Sequence, residues 1–371
     1  MLVVLLALLT MSLLGCGGDE VGVGAGRPLL VVVSAPSNGP QANLGEAFAE
    51  GFLAGFDGRV RRFGKLTVRV VRTDPAALDG AGSDPSRIAT AADAYARDPR
   101  LLAYVGELDA QATAVSLPRL AARGIPVVVG APGAVGLSGR GPGQLIGEPA
   151  RYYPTGIRTL VRLVSDDRAR VRLVAAAFRR RGCKTPTVVS DGTLDGDAAL
   201  RAFRFEARRA GLAAPYEWRY IGGRADLGVA DALAAAPRPL CVLLATAGGA
   251  RGLTLMFATL AAARQAVVAT FDRFDGRAVA AAARASSRLL IVTWARRPAE
   301  TAYRELGRRA GRLLAGALST LGARAQRSGR LLRVLRARAT GELLTPRLVP
   351  AEALGIRVDP RPDAKQPGRR G

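Results

Sequence analysis

No histidine occurs anywhere in the chain, and cysteine occurs only at positions 16, 183 and 241. Residue type alone therefore excludes Ser-His and Cys-His nucleophile–base pairs and His-ligated metal centres. The cysteines form no CxxC pair, which removes structural zinc as well. Neither a GxSxG turn for a nucleophilic serine nor a GxxxxGKS/T phosphate loop is present. The segment Gly130 to Gly136 follows a strand-like run, but Pro132 stands where a dinucleotide-binding turn needs a glycine to approach pyrophosphate. Asp166 and Asp167 are adjacent carboxylates, and adjacent residues of a helix point apart. The expectation is a protein that binds rather than catalyses, with no catalytic residue, no metal and no cofactor.

The polar groups that remain sit in loops between two kinds of element. Apolar runs at LLVVV (29–33), LTVRVV (66–71), LLAYV (101–105), IPVVV (125–129), PTVVS (186–190), YEWRYI (216–221), LCVLLA (240–245), AVVATF (266–271) and LLIVTW (289–294) alternate with Ala-rich helical stretches. Continuous apolar strands between helices predict parallel sheets buried on both faces. At 371 residues the chain exceeds what one core ordinarily supports. The fold expected is α/β, two doubly wound parallel-sheet lobes with a central cleft and three hinge crossings.

The Gly/Pro-rich passage 134–165 is read as the first crossing. Lobe one is assigned to 28–147, lobe two to 148–275 and a return to lobe one to 276–330, including the strand at 289–294 and the helix 299–318. Residues 331–358 are placed near lobe two or the hinge, and 359–371 are read as a disordered tail. Ligands of such sheets bind beyond the carboxyl ends of the strands. The loops of interest are Ser34 to Pro40, Gly106 to Gln111 and Gly130 to Gly133 in lobe one, and Asp191 to Gly196, Thr246 to Gly249 and Asp272 in lobe two.

Residues 2–15 form an apolar run too short for a spanning helix, which needs roughly 20 residues. It ends in Leu13-Leu14-Gly15-Cys16, which resembles the bacterial lipobox. The resemblance implies a signal peptide at 1–15, lipidation of Cys16, a Gly-rich tether over 16–27, and an extracytoplasmic protein lipid-anchored to the cell membrane. An oxidising compartment permits a Cys183–Cys241 disulfide, and two separately buried thiols is the competing reading.

Of 54 basic residues only three are lysine, and the arginines are spread along the whole chain. The net charge of +24 is thus read as scattered solvated charge rather than a nucleic-acid surface. Within Arg327 to Arg338, arginines alternate with Leu331, Leu332 and Leu335 as on an amphipathic helix with a solvated basic face.

Taken together, the loops resemble the Leu/Ile/Val-type solute-binding proteins of ABC transporters, which have the type I periplasmic binding protein fold. The similarity runs from about residue 28 to about 298. It is carried by VVVSAPSNGPQANLGEAFAEGF (31–52), by VVRTDP followed by an Ala-rich helix, by the strand ends YVGELDAQ and GIPVVVGAP, by YYPTGIRTLVRLVSDD at the crossing, and by GCKTPTVVSDGTLDG opening lobe two.

The resemblance implies a solute held between the lobes at Asn38, Leu44, Asp109, Ala110, Gln111, Gly133, Asp191, Thr246 and Asp272. Leu44 replaces an expected aromatic. The expected hydroxyls fall near Ala110 or Gln111 and near Gly133, so an amino-acid head group would find fewer charge-assisted hydrogen bonds here. Asp109, Asp191 and Asp272 are also candidates for helix N-caps. A Tyr-containing helix implied after Thr301 is not evident, and that region reads as shortened. The implied partners are a small-molecule solute, amino acid or related, and a membrane permease, with the protein itself monomeric. The alternative is an envelope lipoprotein of the same fold, a sensor or docking protein whose ligand site has decayed.

Overall fold

The computed structural model describes residues 27–74, 84–220, 225–236, 240–263, 266–274, 276–286, 288–294, 299–326 and 329–354. The expected signal peptide, Cys16, most of the tether and the 359–371 tail lie outside the described residues. Among the described residues, twelve strands form two sheets. The first contains β1 (Leu29–Ser34), β2 (Val60–Phe63), β3 (Leu66–Thr73), β4 (Leu101–Val105), β5 (Val127–Val129) and β6 (Leu160–Arg162) in the order β2-β3-β1-β4-β5-β6. The second contains β7 (Thr187–Ser190), β8 (Tyr216–Arg219), β9 (Cys241–Ala245), β10 (Val267–Phe271), β11 (Leu289–Thr293) and β12 (Arg347–Pro350) in the order β12-β11-β10-β9-β7-β8. Only β2 and β12, each at an edge, run antiparallel to their neighbours.

Among the described residues, ten α-helices connect and cover the sheets: α1 (Ala42–Phe56), α2 (Pro85–Arg97), α3 (Ala110–Ala121), α4 (Asp167–Arg180), α5 (Leu194–Arg209), α6 (Ala225–Ala234), α7 (Gly249–Ala262), α8 (Gly276–Ala285), α9 (Ala299–Leu321) and α10 (Arg330–Glu342). Their starts follow from local chemistry. Asp84, Asp109, Asp166 and Thr193 each accept a backbone N–H of the first turn of α2, α3, α4 and α5, satisfying donors that a helix leaves unpaired. The strands of both sheets are buried on both faces where helices cover them, as in β1, β4, β7 and β9. Among the described residues no helix is long and apolar enough to cross a membrane.

Three crossings join the lobes. The chain leaves the first sheet after β6 and enters α4, returns between β11 and α9, and passes from α10 to β12. Val164 pairs with Leu344, and Leu344 N–H donates to the Leu163 carbonyl at 2.8 Å, so the first and last crossings are stitched together.

The return helix α9 lies against α1 of lobe one at glycine-limited distance. A Cβ on Gly51 would stand 2.0 Å from the Arg304 carbonyl oxygen, and one on Gly307 would stand 2.0 Å from that of Phe48. Only hydrogen at those positions lets the two backbones meet.

Several boundaries differ from the sequence expectation. β6 keeps the chain in lobe one through Arg162, so lobe two does not begin at 148. α8 precedes β11, and β11 pairs with β10 in the second sheet, so the return to lobe one falls after Thr293 rather than at 276. A buried run such as LLIVT reads the same in either lobe, which is why the sequence misplaced it. The region expected to be shortened carries the 23-residue α9, with Tyr303 buried in it.

Cys183 and Cys241 are disulfide-bonded with Cα atoms 6.2 Å apart, which decides between the two readings. In α10, Leu331, Leu332 and Leu335 are buried while Arg333, Arg336 and Arg338 face out.

Candidate functional site

The carboxyl ends of the two sheets face each other, and the residues that meet there are mostly charged and buried. In lobe one the loop after β4 places Glu107 and Asp109 one residue apart in sequence with different roles. Glu107 is fully buried; its carboxylate accepts from the Tyr104 hydroxyl at 2.7 Å and from the Ser34 hydroxyl. Burial pushes its pKa up to about 7, against the opposing effect of these two donors. Asp109 caps α3 through Ala112 N–H at 2.6 Å, while its own carbonyl accepts from the Thr113 hydroxyl. The capping alternative therefore accounts for Asp109.

Ala110 donates its N–H across the cleft to Asp195 Oδ2 at 2.6 Å. Gln111, one residue on, is exposed. Leu44 is buried in the lobe-one core with Phe48 rather than turned to the cleft. Asn38 is half-buried with its Oδ1 unpartnered.

Gly133 abuts the hinge. Its carbonyl accepts from Asp167 N–H at 2.8 Å, and a Cβ there would stand 1.9 Å from Asp167 Oδ1. A threonine cannot occupy this position while Asp167 holds its place, and an ion pair fills the space beside it. That pair is Asp167–Arg170, 3.3 Å apart and almost wholly buried. Arg170 also donates to the Ala131 carbonyl at 3.0 Å, and its guanidinium lies 4.2 Å from the centre of the Trp294 ring. Burial lifts Asp167 to about 6 and lowers Arg170 to about 10, so desolvation outweighs the mutual attraction of this imperfect pair.

In lobe two, Asp191 ties β7 to β9. One oxygen accepts from the Thr246 hydroxyl at 2.6 Å and from Ala247 N–H at 2.9 Å, the other from Thr193 N–H and hydroxyl. Asp191 and Thr246 thus meet each other, and burial raises the Asp191 pKa. Asp272 accepts from the Thr293 hydroxyl at 2.5 Å, its Oδ1 is unpartnered, and burial pushes its pKa to about 7.

Arg273, the next residue, is 1% exposed and spans both lobes: it donates to the Leu108 carbonyl at 3.0 Å and pairs with Asp195 at 3.0 Å. Burial works to lower its pKa, and the Asp195 carboxylate more than offsets this, leaving it above the usual value. A further cross-lobe bond joins Gln41 Nε2 to the Ala247 carbonyl at 3.0 Å.

Of the residues expected from sequence, the structure brings Ala110, Gly133, Asp191, Thr246 and Asp272 to the facing strand ends, beside or within the buried network. Leu44 lies in the core, and Gln111 is exposed in the first turn of α3. The residues that organise the cleft, Asp195, Arg273, Asp167, Arg170, Glu107 and Trp294, were missed as ligand-site candidates. Four left a visible signal, since Asp195 and Glu107 fall inside the inspected loops, Arg273 follows Asp272 directly and Asp167 follows the crossing passage. Arg170 Nε, Arg273 Nε, Trp294 Nε1, Asp167 Oδ2 and Asp272 Oδ1 are all buried without a partner, a concentration of unmet donors and acceptors that an apolar seam would not contain. Among the described residues no group of three His, Cys, Asp or Glu side chains is placed to hold a metal ion.

No family model matches the chain, and no curated protein matches it. Solved structures do share its fold. An extracellular ligand-binding receptor from Rhodopseudomonas palustris HaA2 superposes with a TM-score of 0.65 at 13% identity, covering 85% of this chain and 89% of its own. A solute-binding protein of an ABC transporter from R. palustris, in complex with benzoate, has a TM-score of 0.65 at 17% identity, covering 83% and 85%. A leucine-binding protein from Thermotoga maritima MSB8 has a TM-score of 0.64 at 17% identity, covering 83% and 87%. This likeness establishes the two-lobed fold of type I periplasmic binding proteins.

Proposed function

We propose that the protein is the extracytoplasmic substrate-binding component of an ABC transporter, anchored through Cys16 and holding a small solute between its lobes for a membrane permease. The observation that carries this reading is the convergence of buried charges and unpartnered polar atoms at the facing carboxyl ends of the two sheets. The shared fold with proteins described as binding benzoate and leucine agrees with it. Arg273 and Arg170 place two cations in the site, beside carboxylates of which Asp167 and Asp272 each keep one unpartnered oxygen. A small solute that carries a carboxylate, with or without an ammonium group, finds charge partners there.

The test is a thermal-shift and calorimetric panel of aromatic and aliphatic carboxylates, amino acids, amides and sugars on protein refolded to remove carried-over ligand. A ligand that binds only the folded state adds about 2.7 kcal/mol at a hundredfold excess over Kd. A hit from one chemical class supports the transport reading. A silent panel overturns it in favour of a lipoprotein that docks on another envelope component, the reading that the pairing of Asp195 with Ala110 and Arg273 favours.

A further inference from the structure

Asp195, in the first turn of α5, and Arg273, in the loop after β10, both belong to lobe two, are 3% and 1% exposed, and pair at 3.0 Å. Each also reaches into lobe one, and there they meet the backbone of one short segment. Asp195 Oδ2 accepts from Ala110 N–H at 2.6 Å, and Arg273 donates to the Leu108 carbonyl at 3.0 Å. Ala110 is the first residue of α3, whose N–H has no intrahelical acceptor and carries the positive end of the helix. The anion thus meets the donor and the cation meets the acceptor, as the two ends of a bound zwitterion would. Arg273 Nε is unpartnered as well, so the pair is not a closed structural unit of lobe two alone.

We propose that the Asp195–Arg273 pair is a resident, ligand-like clasp that holds the two lobes shut in the solute-free protein and must be displaced by any solute reaching the start of α3. The proposal rests on the cleft being the working site. Its measurement reads the Ala110–Asp195 bond across the lobes rather than solute binding, so the two can fail separately. The clasp makes the position at Ala110 N–H a carboxylate position by construction, filled from within. Removing the Asp195 side chain therefore opens it to a free carboxylate.

The experiment is hydrogen exchange of the Ala110 amide in the solute-free full chain and in Asp195→Ala, with the β10 amides as a folding control. In the unmodified protein the Ala110 amide exchanges slowly. In Asp195→Ala it exchanges at least tenfold faster while β10 stays protected, and acetate, but not chloride, restores the protection. Unchanged exchange in Asp195→Ala overturns the clasp, as does fast exchange in the unmodified solute-free protein. If stranding the Arg273 charge unfolds the single variant, the double variant Asp195→Ala/Arg273→Leu leaves no buried charge behind. Loss of Ala110 protection there, with β10 intact, supports the clasp, and retained protection overturns it.

Discussion

The fully buried Glu107 carboxyl makes this protein more stable in mild acid, and Glu107→Gln should abolish its share of that dependence. The group ordinarily titrates at 4.5 and here titrates at about 7 because burial disfavours its charged form. The folded state therefore holds the proton more tightly than the unfolded chain does. Its stabilising contribution is complete below 4.5, declines as pH rises and is gone above about 7. At about 1.4 kcal/mol per tenfold change in proton affinity, this carboxyl accounts for about 3 kcal/mol between those limits. Glutamine keeps the shape without the charge: its oxygen can accept from the Tyr104 hydroxyl and its amide can donate to the Ser34 oxygen. Urea unfolding of both proteins below 4.5 and above 7 provides the measurement. The variant should match the parent in acid and exceed its stability by about 3 kcal/mol in mild base. Asp272, shifted in the same direction, leaves a residual slope in both. If the slopes of the two proteins coincide, or if the variant is the less stable one above pH 7, the argument from burial is wrong.

Three further outcomes follow from the packing. Gly51→Ala drives a methyl to 2.0 Å from the Arg304 carbonyl oxygen; it should cost about 3 kcal/mol or more in urea unfolding by prying α9 from α1, whereas Gly341→Ala, with open space around its Cβ, should disturb no packing. Reducing Cys183–Cys241, which closes a separation of 58 residues, should lower stability by roughly 2–4 kcal/mol, read as a drop in urea midpoint with dithiothreitol, and Cys241→Ala should be insensitive to the reductant. Asp109→Ala should lose about 1 kcal/mol as a removed helix cap while Asp109→Asn keeps it, which a pair of denaturation curves would resolve.

How much of this was legible in the sequence depends on the range over which each feature is determined. Most of the nine apolar runs became strands buried at every position, as in β1, β4, β5, β7, β9 and β11, because a covered parallel strand is apolar at consecutive positions. Absence of histidine excluded whole classes of chemistry without any coordinates. The short edge strands β2 and β12 were not legible: VRRF and RLVP lack that continuity and are fixed by pairing with β3 and β11. β6 was likewise invisible, being three residues long and held by β5.

The site shows the same division more sharply. Sequence placed the working groups in the strand-end loops, since doubly wound topology obliges those loops to converge. It could not say that Leu44 turns inward to the core or that Gly133 makes room for Asp167. Nor could it pair Asp195 with Ala110, 85 residues earlier, or with Arg273, 78 residues later. The first bond exists only when the two lobes close on each other, and the second only once β7 and β10 lie in one sheet. Periodicity along the chain carries no term for that closure, so tertiary structure alone decided which charges share the cleft.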